Sequence, residues 1–197
     1  TPLHYAGRSA AVVNVLLGAG ASATAADRAG RTPLHWAAAL PDVDDGAVSV
    51  LAKTGSVVNA TDHHQRTPLH DAAHTGAASS VSMLLDQKAN ADAGDELGVT
   101  PLHLAAKRGD AAAVGKPLGA TADPNVKDAF GYTPLHAAAI EDNAVTASML
   151  IERGADVNAT DAYGTTPLHL AARHEAERVA ALLLEHGAKA TAANQRR

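Results

Sequence analysis

Residues 133–165 read TPLHAAAIEDNAVTASMLIERGADVNATDAYGT, and this stretch decides the fold. It opens with Thr-Pro, which predicts the start of a helix, because Thr is a good N-cap residue and Pro is tolerated at the first helical position. Asp142-Asn143 then breaks the apolar pattern, so the first helix is short. We expect three residues to form its core-facing side: Leu135, Ala138 and Ala139.

The second half of the stretch predicts another helix and a tight turn. Apolar residues recur at helical spacing, and they are expected to face the core: Val145, Met149, Leu150 and Ile151. Gly154 suits a left-handed helix end, and DAYG at residues 161–164 suits a turn in which Asp bonds its own backbone and Gly supplies positive φ. Neither helix can bury its apolar face alone, so each unit must stack on its neighbours.

The same unit recurs along the whole chain. TPLH begins at Thr1, Thr32, Thr67, Thr100, Thr133 and Thr166, at intervals of 31, 35, 33, 33 and 33 residues. A 33-residue period with T-P-L-H-x-A resembles the ankyrin repeat. The resemblance implies an all-α solenoid of stacked helix–turn–helix units with β-turn or hairpin loops. It also implies one domain over residues 1–197, with repeats at 1–31, 32–66, 67–99, 100–132, 133–165 and 166–197. Neither end carries an obvious polar capping unit, so we expect a fragment or a domain with flanking segments.

Composition excludes several classes of function. Hydrophobic residues make up 46% and aromatic residues 3%, which predicts an aliphatic, alanine-rich core. A net charge of −5 gives no support to nucleic-acid binding, and no apolar run is long enough for membrane insertion. The absence of Cys excludes disulfides and thiolate chemistry, and we expect an intracellular, cytoplasmic monomer. No phosphate loop or dinucleotide fingerprint occurs, so no cofactor is expected.

One stretch suggests a metal site. In TPLHDAAHTG, residues 67–76, His70 and His74 lie one helical turn apart, and Asp71 stands where the zinc-protease motif H-E-x-x-H has Glu. No third ligand follows at a nearby spacing, although a zinc site needs three or four. His70 also belongs to the six-fold TPLH series, to which the resemblance assigns a structural role. A metal-dependent hydrolase at His70 and His74 is therefore only a distant third hypothesis.

Several repeats depart from the pattern. Gln65 and Lys88 stand where other repeats have a turn or helix-end Gly, and PDVDDG at residues 41–46 contains a two-residue acidic insertion. Repeat four carries Pro117 inside its second helix. We expect that helix to be shortened or distorted at residues 115–117, with Leu118 still filling the core.

The resemblance implies a non-catalytic protein–protein interaction module that binds a partner on a concave face. In the family this face is formed by the turn tips and the exposed side of the first helices. The alternative is a spacer or regulatory appendage of a larger multidomain protein or enzyme. Tyr5 and Trp36, at position five of their repeats, are assigned to packing rather than to binding.

The predicted partner surface is an apolar stripe with a mostly basic rim. It suits a partner protein or peptide that is acidic and carries hydrophobic anchors. The predicted residues are Leu97, Val99, Lys107, Arg108, Phe130, Tyr132, Ile140, Glu141, Tyr163, Arg173 and His174.

The resemblance also raises a hypothesis about modification. Asn158 in LIERGADVNAT lies before a turn, in a context that some ankyrin domains present to asparaginyl hydroxylases. The simpler interpretation is that Asn158 only hydrogen-bonds within its loop.

Overall fold

The structure is a computed structural model that describes residues 1–41, 46–54, 58–120 and 122–194. These residues form twelve α-helices and no strand, two helices to each repeat. The helices are α1 (Pro2–Tyr5), α2 (Ala10–Gly18), α3 (Pro33–Ala38), α4 (Gly46–Lys53), α5 (Pro68–Thr75), α6 (Ala78–Asp86), α7 (Pro101–Arg108), α8 (Ala111–Ala120), α9 (Pro134–Ile140), α10 (Ala144–Glu152), α11 (Pro167–Arg173) and α12 (Glu177–Glu185).

Each repeat packs directly on the next. The first helices form one row, in which α7 lies between α5 and α9, and the second helices form a parallel row, in which α8 lies between α6 and α10. This arrangement confirms the predicted all-α solenoid. None of the helices in the described ranges has the length or apolar character needed to cross a bilayer.

The core repeats in the same register. In repeats two to five the Leu of TPLH and the two Ala residues that follow are buried in the first helices, as predicted for Leu135, Ala138 and Ala139. The second helices add one fully buried leucine each at equivalent positions in repeats two, three, five and six, namely Leu51, Leu84, Leu150 and Leu183. The prediction for Val145 is wrong, because its side chain is 64% exposed and Thr146 and Ala147 face the core instead.

The Thr-Pro starts are confirmed in all six first helices. Each begins at the Pro of TPLH, immediately after the Thr at the N-cap. The first repeat, which is two residues shorter than the standard unit, has the shortest of these helices, and α1 ends at Tyr5.

Four non-glycine residues adopt left-handed backbone conformations, with φ between 50° and 67°: Gln65, Lys88, Asp142 and Glu175. Gln65, Lys88 and Glu175 occupy positions where other repeats have Gly, so the repeat geometry is kept although the side chain disfavours it. Each costs about 1–2 kcal/mol relative to Gly. The sequence-based assignment of these positions to turns and helix ends is therefore confirmed.

Pro117 does not break its helix, so the prediction of a shortened helix is wrong. The α8 helix runs for 10 residues from Ala111 through the proline, and both Pro117 and Leu118 are buried. Pro117 occupies the position of the buried leucines Leu84 and Leu150, so its ring fills a core site. That burial offsets part of the roughly 3 kcal/mol that an interior proline costs. Leu118 fills the core as predicted. Residues 42–45, which contain the acidic insertion, lie outside the described residues.

Candidate functional site

The TPLH histidines tie the first helix of a repeat to the turn that ends that repeat. In each of the first five repeats, imidazole Nε2 lies 2.9–3.0 Å from the backbone carbonyl of the last residue, namely Arg31, Arg66, Val99, Tyr132 and Thr165. In repeats two to six, Nδ1 accepts the backbone N–H of the preceding Thr at 3.0–3.2 Å. An N–H can only donate, so Nδ1 carries no proton, and in repeats two to five, where Nε2 also faces a carbonyl, Nε2 must carry the proton. The ring is thus a neutral donor–acceptor bridge at the base of each turn.

Burial keeps these rings neutral. Desolvation lowers the pKa of His35, His70, His103 and His136, and the carbonyl that each Nε2 contacts opposes the shift only in part. Protonation would also place a second N–H on Nδ1, against the backbone N–H that it accepts. These histidines tie each first helix to the turn that ends its repeat.

The His70 and His74 pair is not arranged as a metal site. His70 is fully buried, and its two nitrogens bind the Thr67 N–H and the Val99 carbonyl, so no lone pair faces outward. His74 is exposed one turn later, and Asp71 bonds Arg31 instead of a shared ligand. Among the residues described, no group of three or more His, Asp or Glu side chains is placed to hold a metal ion.

The five turns between repeats form a second ladder. Each begins with an Asp whose Oδ1 accepts two backbone N–H groups of its own turn, as Asp128 does from Phe130 and Tyr132 at 2.9 and 2.8 Å. Consecutive turns also bond to each other. Ala129 N donates to the Leu97 carbonyl at 2.7 Å, and Ala162 N donates to the Phe130 carbonyl at 3.0 Å.

These bonds align the third residue of every turn, which we call the turn tip. The tips of the last three turns form what we call the apolar row, and their side chains remain 45%, 51% and 47% exposed: Leu97, Phe130 and Tyr163.

The first two turns carry polar side chains that pair within the protein. Arg31 binds Asp71 at 3.2 Å and lies over the Trp36 ring, whose Nε1 donates to Asp27 at 2.9 Å. Trp36 is half-buried, as the packing assignment predicted. The same assignment is wrong for Tyr5, which contacts Trp36 but is 77% exposed.

A cavity of about 240 Å³, the repeat-four cavity, lies between α7, α9 and the bases of the turns that end repeats three and four. Its floor is largely aliphatic, and the half-buried Tyr132 ring stands edge-on against His136 with centroids 5.5 Å apart. The lining residues are Val99, His103, Leu104, Lys107, Asp128, Tyr132, Ala137 and Ile140.

A second hollow of about 410 Å³, the helix-end cavity, adjoins it and shares Leu104 and Lys107 as walls. It is otherwise polar, lined by His74, Arg108 and Glu141. The α7 C-terminus is fixed there, because the Asn143 amide donates to the carbonyls of Ala106 and Lys107 at 3.1 and 2.7 Å.

The structure brings most of the predicted surface residues together in one region. The repeat-four cavity contains Val99, Lys107, Tyr132 and Ile140, and the helix-end cavity contains Lys107, Arg108 and Glu141. Leu97, Phe130 and Tyr163 form the apolar row. Arg173 and His174 are exposed at the end of α11, one repeat further along, and line neither cavity.

Sequence reasoning missed five lining residues: His74, His103, Leu104, Asp128 and Ala137. Leu104 and Ala137 occupy position five of their repeats. A signal was available, because the same position carries Tyr5 and Trp36 and therefore lies at the surface of the first helices.

Asn158 bridges two repeats. Its amide nitrogen donates to the Gly187 carbonyl at 3.2 Å, and its oxygen accepts the Lys189 N–H at 2.9 Å. Asn125 makes the equivalent bonds to Gly154 and Asp156. These contacts give Asn158 a structural role, and its hydroxylation stays a prediction.

Comparison with known families agrees with the repeat geometry. A family model described as ankyrin repeats (3 copies) matches residues 43–116 and 102–194, which together cover more than half of the chain. No curated protein matches the sequence. Ankyrin repeats generally serve as protein–protein interaction modules. From the six-fold TPLH period, the paired helices and this match, the chain belongs to the ankyrin-repeat family.

Proposed function

We propose that this chain is a non-catalytic module that binds a partner protein or peptide on the groove formed by repeats three to five. The groove consists of the apolar row, the repeat-four cavity and the helix-end cavity. In this proposal the chain acts as a monomer in the cytoplasm.

The apolar row is the observation that carries the proposal. Three large apolar side chains, from Leu97, Phe130 and Tyr163, stay about half exposed on adjacent turns. Turn-to-turn hydrogen bonds hold those turns in register, so the surface is formed before a partner arrives. Aromatic side chains on a rigid surface are typical binding hot spots, because they bury a large area with little loss of conformational freedom.

Charge favours an acidic partner with hydrophobic anchors. Three cations, Lys107, Arg108 and Arg173, stand at the ends of the first helices, on a chain whose net charge is −5. Such charges mainly set orientation and association rate, whereas the apolar contacts supply affinity.

The test is an affinity capture with three versions of the purified chain. The site variant is Leu97→Ala, Phe130→Ala, Tyr163→Ala. The matched control is Val12→Ala, Val15→Ala, Val145→Ala, which removes three exposed apolar side chains from second helices. We expect a partner that the wild type and the control capture and the site variant loses. Titration calorimetry with the identified partner then measures the loss, and equal affinity of all three versions would contradict the proposed site.

A further inference from the structure

The side chain of Lys107 stands between the two cavities and pairs with none of the residues that the structure describes. It is exposed on the last turn of α7 and forms a wall of both hollows. Its backbone carbonyl is fixed by Asn143, but within the described part of the chain its ammonium group makes no ion pair. The cation is therefore held near the groove and available to a ligand.

The repeat-four cavity calls for an apolar occupant. Its volume of about 240 Å³ exceeds the roughly 150 Å³ of an apolar cavity that binds benzene in another protein, so it can receive one branched aliphatic or phenyl side chain. Two polar residues in its walls, His103 and Asp128, already make hydrogen bonds within the protein. His103 bonds Thr100 and the Tyr132 carbonyl, and Asp128 Oδ1 accepts two N–H groups of its own turn.

The charges on the helix ends favour a carboxylate next to that apolar group. Lys107, Arg108 and Arg173 lie at the ends of α7 and α11, and Lys107 and Arg108 share the helix-end cavity with the anion Glu141. Arg108 is partly engaged, since its guanidinium donates to the His74 carbonyl at 3.4 Å. Lys107 is the cation that lies directly beside the cavity.

We propose that the partner contributes an acidic segment, in which one branched aliphatic or phenyl side chain fills the repeat-four cavity and a nearby carboxylate pairs with Lys107. This inference rests on the proposed function and specifies the chemistry of its partner. The apolar group supplies contact area, and the ion pair fixes the direction in which the segment lies.

A library of short random peptides displayed on phage provides the probe. It is selected on the purified wild-type chain, and enriched peptides are synthesised and titrated. We expect an aliphatic residue or Phe with Asp or Glu within about three positions. Lys107→Glu should weaken binding by about tenfold or more, and exchanging the peptide's carboxylate for Lys should restore it. Lys116→Glu makes the same charge change on the exposed side of α8 and should leave affinity unchanged.

A second variant tests the cavity. Ala137→Leu fills it with a residue that repeats four and six already carry at the same position, as Leu104 and Leu170, so the fold should tolerate it. We expect a loss of about tenfold or more. Ala181→Leu, on the exposed side of α12, should have no effect.

The outcomes separate the two proposals. Peptides without acidic residues that still require the apolar row would overturn the partner chemistry and leave the proposed function standing. The same holds if Lys107→Glu and Ala137→Leu both bind as the wild type does. Peptides that bind all groove and apolar-row variants equally would overturn the proposed site as well.

Discussion

The first two turns and the last three share one backbone and differ in what their side chains do. In both regions an Asp closes the turn and a histidine Nε2 reaches the turn's last carbonyl, as His35 does at Arg66 and His136 at Thr165. The early turns carry Arg31 and His64, which pair with Asp71 and Glu96. The last three turns carry the apolar row.

This difference shows how one scaffold separates folding from binding. Residues that recur in every repeat are buried and bonded to each other, so they specify the stack. Residues that vary lie at the turn tips and at positions five and eight of the first helices. Where the side chains at these positions are polar and pair within the protein, their hydrogen-bonding groups are already used. The exposed apolar side chains and Lys107 can still gain from contact with a partner protein.

The largest expected effect is acid destabilisation, which tests what the two regions share. His35, His70, His103 and His136 have lowered pKa values in the folded chain, so the unfolded chain binds protons more readily. The free energy of unfolding should therefore be intact above about pH 6.5 and fall below it. Each histidine contributes up to about 1.4 kcal/mol per pH unit. The carboxyl of Asp71, whose pKa burial raises, opposes this in part.

Urea unfolding at pH 7.5 and pH 5.5 measures this effect. Two-dimensional NMR of the imidazole groups checks that the same four rings stay neutral in the folded chain. Equal stability at the two pH values would contradict the prediction.

Next in size is the loss of a single histidine bridge. His35→Ala in the first region and His136→Ala in the second should each cost about 3–5 kcal/mol. Each leaves a buried Thr N–H and a turn carbonyl without a partner and opens a cavity. Because the bridges are alike, the two losses should agree within about 1 kcal/mol. Chemical denaturation measures both. A much smaller loss at His35 would mean that the regions do not share one scaffold.

Repeat four, which lies between the third and fourth turns, should gain stability from Pro117→Leu. Leucine occupies the equivalent buried position in the neighbouring repeats, at Leu84 and Leu150, and it restores the backbone donor that proline lacks. We expect a gain of up to about 3 kcal/mol, reduced by whatever adjustment α8 has already made around the ring. Thermal unfolding detects it, and Lys116→Leu, one residue earlier and exposed, serves as control. A lower melting temperature would show that the backbone is fitted to the proline.

A smaller change in the free energy of unfolding is expected when the partner of Arg31 in the first region is replaced by an apolar residue. Asp71→Leu replaces a buried carboxylate by the residue that repeats four and six have at position five. Burial already raises the pKa of Asp71 despite Arg31, so the ion pair does not fully compensate the desolvation of the carboxylate. We expect a change in unfolding free energy within about 1 kcal/mol. A loss of several kcal/mol would show that the Arg31 pair is essential to the early turns.

The fold was predictable because its signals recur. Six TPLH starts, the Asp turns and the left-handed positions at Gln65 and Lys88 all follow from spacing, and each repeat confirms the others. Errors arose where one repeat departs from the rest. The prediction that Pro117 shortens or distorts α8 follows from the low helix propensity of proline. That propensity does not include the core site that the proline ring fills. Val145 was assigned to the core, because helical spacing alone does not fix which side of a helix is buried.

The candidate site was predictable only in part. Position in the repeat placed Phe130 and Tyr163 on the turns, and their exposure agrees. The cavity itself depends on side-chain volume. Ala137 leaves a space that a leucine at the same position of the repeat, such as Leu104 in repeat four, would fill. Sequence position cannot show such an absence of side-chain volume, which emerges only when neighbouring repeats are stacked.

The smallest effect on stability should accompany the clearest difference between the regions. His64 and Phe130 are equivalent turn tips, and both backbones are held by the same turn-to-turn bonds. His64→Ala removes an exposed contact between Nδ1 and the Glu96 carboxylate at 3.0 Å, and exposed pairs of this kind contribute about 0–1 kcal/mol. Phe130→Ala removes a ring that is 51% exposed in the folded chain, so roughly half of the usual 1.5–3 kcal/mol of burial is lost. Urea denaturation should therefore find both variants within about 1.5 kcal/mol of the wild type.

Titration with the captured partner should separate them, because only Phe130 lies on the proposed groove. We expect Phe130→Ala to weaken binding by about tenfold or more and His64→Ala to leave it within about twofold. If His64→Ala weakens binding more than Phe130→Ala does, the partner binds the early turns, and the internally paired region is the one that has been selected for recognition.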